Sequence, residues 1–162
     1  MSGKVSGHYK VITVTPTVST SPAYTANDQV GGIQTITLPY EGGNRLATLL
    51  SVSLVDKAAQ NAALTIFFFT ELPTVASSDN AAFDLTDANM LKYAFHVNIT
   101  ASDYATSSSN SAACLGMSTV AKCALATGNA ATALYAVVKT TGTPTYASTT
   151  DLQFTYTFGF DQ

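Results

Sequence analysis

Charge is what this sequence has least of. Asp, Glu, Lys and Arg make up 10% of its 162 residues, against about 25% in an ordinary soluble domain. Tryptophan is absent, and there are only two histidines and two cysteines. Each shortage excludes something. The seven basic residues (Lys4, Lys10, Arg45, Lys57, Lys92, Lys122 and Lys139) are scattered singly in a chain of net charge −3. Nucleic acid is therefore not an expected partner, because phosphate binding needs clustered cations. The longest strongly apolar run is Leu64–Phe69 (LTIFFF), far short of the roughly 20 residues of a membrane helix. The opening MSGKVSGHYK has no apolar core of a secretory signal. The expectation is a protein made in the cytoplasm that leaves it only within or upon a larger particle.

Reaction chemistry is missing as well. No GxSxG, P-loop or GxGxxG pattern occurs. A nucleophile needs a base beside it, yet His8 lies near the start of the chain. His96 sits among Ala94, Asn98 and Thr100 on the polar side of an alternating segment. No catalytic residue and no cofactor is expected. Asp79, Asp84 and Asp87, with Asn80 and Asn89, are the best candidate metal ligands. Their spacing is not that of an EF-hand, and helix capping and turn formation explain them better, so no metal is expected. Cys114 and Cys123 are nine residues apart. A hairpin turning at Ser118–Thr119 would oppose the two thiols and permit a disulfide. Two small buried thiols are the preferred expectation, since cytosolic synthesis keeps thiols reduced.

What the sequence does have is period-two alternation. Lys10–Thr17 alternates until Pro16, as an edge or arm strand does. Ser19–Gly32 reads as a turn-rich loop, and Ile33–Leu38 as a strand with Gln34, Ile36 and Leu38 on one face. Leu46–Asp56 is a long strand, expected to carry Leu50, Val52 and Leu54 together opposite Leu49, Ser51, Ser53 and Val55. Ala62–Thr70 is apolar on both faces, hence central and covered on its second face by a loop or a neighbouring subunit. Thr86–Tyr93 is the one short helix, capped by Thr86. In Tyr93–Thr100 the residues Tyr93, Phe95, Val97 and Ile99 face one way. Ser102–Ser111 reads as a loop. Leu134–Thr140 and Asp151–Phe160 finish the sheets, the last with Leu152, Phe154, Tyr156, Phe158 and Phe160 on one face. The fold class is all-β, an antiparallel sandwich or barrel with one short helix. Residues 19–162 form its single domain, and residues 1–18 an N-terminal arm and edge strand.

Several segments recur in a recognisable order. SPAYTANDQVGG precedes a strand, LLSVSLVD and ALTIFFFTELP follow, then DNAAFDLTDANMLKYAFHV, LYAVV and DLQFTYTFG. From roughly Ser21 to Asp161 this resembles a group of small tailed-bacteriophage virion proteins. The resemblance implies a jelly-roll-like β-sandwich and a capsid decoration (cement) protein. It further implies a homotrimer that bridges subunits of the major capsid protein, located on the virion surface. A surface poor in charge suits a protein packed against other protein. The expected contact residues are Val11, Ile12 and Val14 in the arm, which would pair with a neighbour's sheet edge, together with Tyr24, Asp28 and Tyr104 in the loops. The alternatives are a tail, fibre or baseplate component, or a carbohydrate-binding adhesion module using exposed Tyr24, Tyr40, Tyr104 and Tyr146.

Overall fold

The structure, a computed structural model, describes residues 8–38, 46–75, 78–124 and 132–160, with the side chains of residues 8 and 118–124 left aside. Nine strands are described: β1 (His8–Val14), β2 (Gln29–Leu38), β3 (Leu46–Asp56), β4 (Leu64–Phe69), β5 (Tyr93–Ile99), β6 (Tyr104–Thr106), β7 (Ser111–Ala124), β8 (Thr132–Thr140) and β9 (Leu152–Phe160). They build two sheets, ordered β1-β9-β3-β7-β6 and β2-β8-β4-β5. Every strand pairing is antiparallel.

The order has a simple origin. β4 pairs with β5, β3 with β7, β2 with β8 and β1 with β9. The chain is thus one long antiparallel hairpin with β4 and β5 at its tip, wound so that successive pairs fall in alternate sheets. That is the jelly roll, the double-sheet solution to the edge-strand problem. The inner faces meet through alternating side chains. Leu152, Phe154, Tyr156 and Phe158 of β9, Leu49, Val52 and Leu54 of β3, and Ile66 and Phe68 of β4 are all fully buried. The core is aromatic at its centre, where Phe68 stacks on Phe95 at 4.6 Å and meets the edge of Tyr156 at 5.7 Å.

One polar contact spans the core. The Tyr156 hydroxyl donates to Gln34 Oε1 at 2.8 Å, and both residues are buried. Gln34 Nε2 has no partner. Tyr156→Phe is expected to cost about 1–2 kcal/mol, because a second buried polar atom of Gln34 is then left unpaired. Adding Gln34→Leu should recover most of that loss, and urea unfolding of both variants checks it.

Several expectations are corrected. Residues 8–14 form an edge strand of the chain's own sheet, paired along their whole length with β9. Cys114 and Cys123 do not flank a hairpin but lie on one strand, β7, opposite Ser53 and Ala47 of β3. Six residues of β3 separate those partners, about 20 Å, so no bridge can form within the chain. Cys114 is moreover exposed, where a buried thiol was expected.

Bulges change which way side chains face. The pairing of β3 with β9 slips between Leu49 and Ser51. Leu49 therefore turns inward with Val52 and Leu54, while Leu50 turns out over Gly159. A second slip in β5 places Tyr93 opposite Phe69, on the outer side with His96 instead of beside Phe95. Such a one-residue insertion reverses the inside-outside phase of what precedes it.

The helix α1 (Asp87–Met90) is a single turn capped by the Thr86 hydroxyl, shorter than the two turns expected. Strand β2 begins at Gln29, inside the expected loop, and Ser102–Ser111 contains a 3-10 turn and β6. The cluster Gly42–Gly43–Asn44, which reads as a hairpin or loop, lies outside the described residues.

Candidate interaction surface

The two sheets treat their outer faces differently. That of the four-stranded sheet is covered over β4 by the chain itself. Between β4 and β5 the chain crosses back over it, and Phe83 packs on Phe67 with ring centres 5.0 Å apart. Tyr93 packs against Phe67 and Phe69 and hydrogen-bonds His96 Nδ1 at 2.6 Å. This answers what covers the second face of the most apolar strand: the chain's own loop.

Among the described residues nothing comparable covers the outer face of the five-stranded sheet. Register aligns its side chains in rows across β1, β9, β3 and β7. One row is Thr13, Thr155, Ser53 and Cys114; the next is Val11, Thr157, Ser51 and Gly116. The first row is stitched by side chains, Thr13 Oγ1 to Thr155 Oγ1 at 3.2 Å and Ser53 Oγ to Cys114 Sγ at 3.3 Å. Tyr9 is 71% exposed, Val11 51%, Leu50 46% and Val55 38%. The side chains described on this face in β1, β9 and β3 are uncharged, and register sets Lys122 of β7 opposite Thr48 in the row of Tyr9 and Gly159. Leu50 lies over Gly159, whose missing side chain makes room for it: a Cβ there would come within 3.1 Å of Leu50 Cδ1.

A second uncovered apolar surface lies beside α1. Leu91 is 90% exposed, Leu72 56% and Met90 46%. They are held together by polar contacts beneath them. Asn89 is buried, accepts from the Thr74 N–H at 2.9 Å and donates back to the Thr74 carbonyl. Lys92 Nζ donates to the Leu72 carbonyl at 2.9 Å. The knob is therefore a fixed shape presented by short loops, not a loose hairpin.

The expected contact residues divide. Val11 points out from the sheet face, while Ile12 and Val14 pack against the core. Tyr24 and Asp28 are buried and organise the chain from within. The Tyr24 hydroxyl accepts from the Ser19 N–H and donates to Asp79 Oδ1 at 2.6 Å. Asp79 Oδ1 also accepts from the Gly31 N–H at 2.5 Å. Burial, reinforced by the Asp79 carboxylate, pushes the Tyr24 hydroxyl well above its usual range. Asp28 accepts from the backbone and side chain of Thr25. Tyr104 is half-buried and donates to the Ala62 carbonyl at 2.8 Å. Tyr146 is buried against the edge of Tyr24, and Tyr40 lies outside the described residues. The set of exposed tyrosines on which a sugar would stack is not formed by Tyr24, Tyr104 and Tyr146. Among the described residues no three His, Cys, Asp or Glu side chains gather as a metal site.

Sequence reasoning missed both apolar surfaces. A signal existed for the first: the positions alternating with buried ones in β1, β3 and β9 are Tyr, Val, Thr, Leu, Ser, Gln and Gly, where Lys or Glu would be ordinary. These features define an all-β jelly-roll protein with two surfaces of exposed apolar side chains that no described residue covers. No family model, no curated protein and no solved structure matches the chain. No helix among the described residues is long and apolar enough to cross a membrane.

Proposed function

We propose that the chain is a structural virion protein that decorates a phage head and bridges subunits of its major capsid protein. The observation that carries this reading is the presence of two separate surfaces with exposed apolar side chains, Tyr9, Val11, Leu50 and Val55 on the sheet face and the Leu72–Met90–Leu91 knob. A protein that links neighbours needs at least two surfaces to be covered, and exposed apolar patches mark such contacts. The jelly roll is shared by viral capsid domains, lectins and cupins, so the fold supports the reading only by analogy. The resemblance to phage virion proteins adds to it. The role needs no cofactor and no reaction.

The test is binding to purified heads that lack the protein. We expect saturable co-sedimentation with the heads in many copies, and heads that rupture at higher temperature once coated. Leu91→Asp with Leu72→Asp should weaken binding at least about tenfold, since each buries a carboxylate without a partner. Absence of binding to heads, or a few copies confined to the tail, would overturn the reading.

A further inference from the structure

The turn after β3 gathers buried oxygens that the chain leaves without partners. Register sets Thr106, Ser111, Asp56 and Leu152 side by side across β6, β7, β3 and β9. Asn61 spans this row. Its N–H donates to Asp56 Oδ2 at 3.0 Å, and its side-chain amide donates to Thr106 Oγ1 at 3.3 Å. Ser111 therefore lies between the two anchor points. Asn61 Oδ1, Ser111 Oγ and the Tyr146 hydroxyl are all buried, and none has a partner. Ser111 is only 2% exposed and Tyr146 1%. Burial, and after it the Asp56 charge, pushes the Tyr146 hydroxyl above its usual range, so this oxygen too lies near the carboxylate.

Asp56 is itself a fully buried carboxyl. Among the described residues no cationic side chain pairs with it: Lys57, next in the chain, turns its ammonium to the Thr150 carbonyl at 3.0 Å. Asp151 adds a second negative charge close by. Buried carboxylates are held by an opposite charge or by a metal, and the backbone N–H groups of the turn supply only dipoles. We propose that Asp56, Asn61, Ser111 and Tyr146 bind a Ca²⁺ ion.

The donor set selects the ion. It consists of oxygens alone, a carboxylate, an amide carbonyl and two hydroxyls, with no imidazole or thiolate to favour zinc. Ca²⁺ takes about 6–8 oxygens in flexible geometry, water among them, whereas Mg²⁺ demands a tighter octahedron and dehydrates reluctantly. Neutral oxygens fill most of the shell, so a third acidic side chain is not required. A route from solvent exists: a cleft of about 410 Å³, walled by Gln60, Ala62, Ala101 and Gly142, opens beside Asn61. Bound there, the ion ties the turn after β3, strand β7 and the loop before β9 into one unit. Such a site does not depend on the virion reading, and its test contains no heads.

The full chain freed of metal by EDTA is the reference state, in which the Asp56 carboxyl answers only to its burial and its turn. Each tenfold rise of Ca²⁺ above its Kd should raise the melting temperature by about 3–5 °C. The chain has eight tyrosines and no tryptophan. Terbium, a hard ion that takes the same oxygen ligands, should therefore luminesce on tyrosine excitation when bound beside Tyr146, and Ca²⁺ should displace it.

Ser111→Ala with Tyr146→Phe removes two oxygens that have no partner in the chain. Metal-free stability should hold, while Ca²⁺ affinity should fall at least about tenfold. A purely structural role would not give that split. Asp84→Asn with Asp87→Asn, at exposed carboxyls elsewhere, should leave the affinity unchanged. A melting temperature unmoved up to about 10 mM Ca²⁺, beyond the weakest range of such sites, would overturn the proposal. So would a shift that Mg²⁺ reproduces in full, or one that the Ser111–Tyr146 variant keeps. Should that variant fail to fold, Asn61→Gly takes its place. Glycine keeps the left-handed backbone at φ 51° and removes the amide oxygen, and the same loss of affinity is expected.

Discussion

Replacing Asp56 by alanine is expected to cost about 3 kcal/mol, lowering the melting temperature by roughly 6–12 °C in a domain of this size. Asp56 ends β3 and is fully buried. Its two carboxylate oxygens accept separately, Oδ1 from the Ala58 N–H and Oδ2 from the Asn61 N–H, each at 3.0 Å. The Gln60 N–H also reaches it. These contacts hold the turn in which Ala59 and Asn61 both adopt left-handed backbone, with φ of 50° and 51°. Gln60 is exposed and can turn to water. The Ala58 and Asn61 donors are partly buried, and an unpaired buried donor costs about 1–3 kcal/mol. Asp56→Asn should fall between, since its amide oxygen still accepts one of these bonds.

The same residue predicts a pH dependence with a definite sign. Burial raises the Asp56 carboxyl above the ordinary 3.8, against the pull of the backbone N–H groups and with help from the Asp151 charge. A carboxyl raised on folding binds more protons in the native state than in the unfolded chain. Its contribution is therefore full below pH 3.8 and declines as pH rises through its folded pKa. The stability gap between wild type and Asp56→Ala should be widest in acid and narrow toward neutrality. Urea unfolding across that range measures it; a gap that widens with pH would contradict the assignment.

How much of this was legible in the sequence depended on whether parity was intact. In β9 every second residue is large and apolar from Leu152 to Phe160, and the structure buries those residues. In β3 the pair Leu49–Leu50 offers an apolar residue to either face, so composition carries no sign of the bulge that decides between them. In β7 the sequence reads as a hairpin turning at Ser118–Thr119, yet pairing with β3 on both sides of a slip keeps that segment in the sheet. The sequence leaves Tyr24 and Tyr146 free to lie at the surface, and the structure buries both. The Tyr24 tip is satisfied inside by Asp79, whose distance in sequence hides the contact. The outer face of the five-stranded sheet had the subtlest signal. Its residues come from four strands and become a surface only when register brings Val11, Thr157, Ser51 and Gly116 into line.

The consecutive glycines of β2 should respond to alanine in opposite ways. Gly31 has φ of +72°, and an added Cβ would lie 2.7 Å from Pro16 Cβ, a buried ring with little room to retreat. The left-handed backbone alone costs an L residue about 1–2 kcal/mol, and overpacking against Pro16 adds about 1–3. Gly31→Ala is thus expected to lose about 3 kcal/mol. The loss should spread, because the Gly31 N–H and the Tyr24 hydroxyl share Asp79 Oδ1. A shift of Gly31 weakens the grip on the 19–24 segment, which would become the first site of proteolytic cleavage. At Gly32 a Cβ meets nothing within 4 Å. Gly32→Ala should leave stability unchanged or raise it by up to about 1 kcal/mol, through a stiffer unfolded chain. Both variants remove one glycine from the same strand, so the unfolded-state term is common to the two. The difference in their urea midpoints then isolates the native backbone at Gly31 and its contact with Pro16. Equal midpoints would mean that neither constrains the fold.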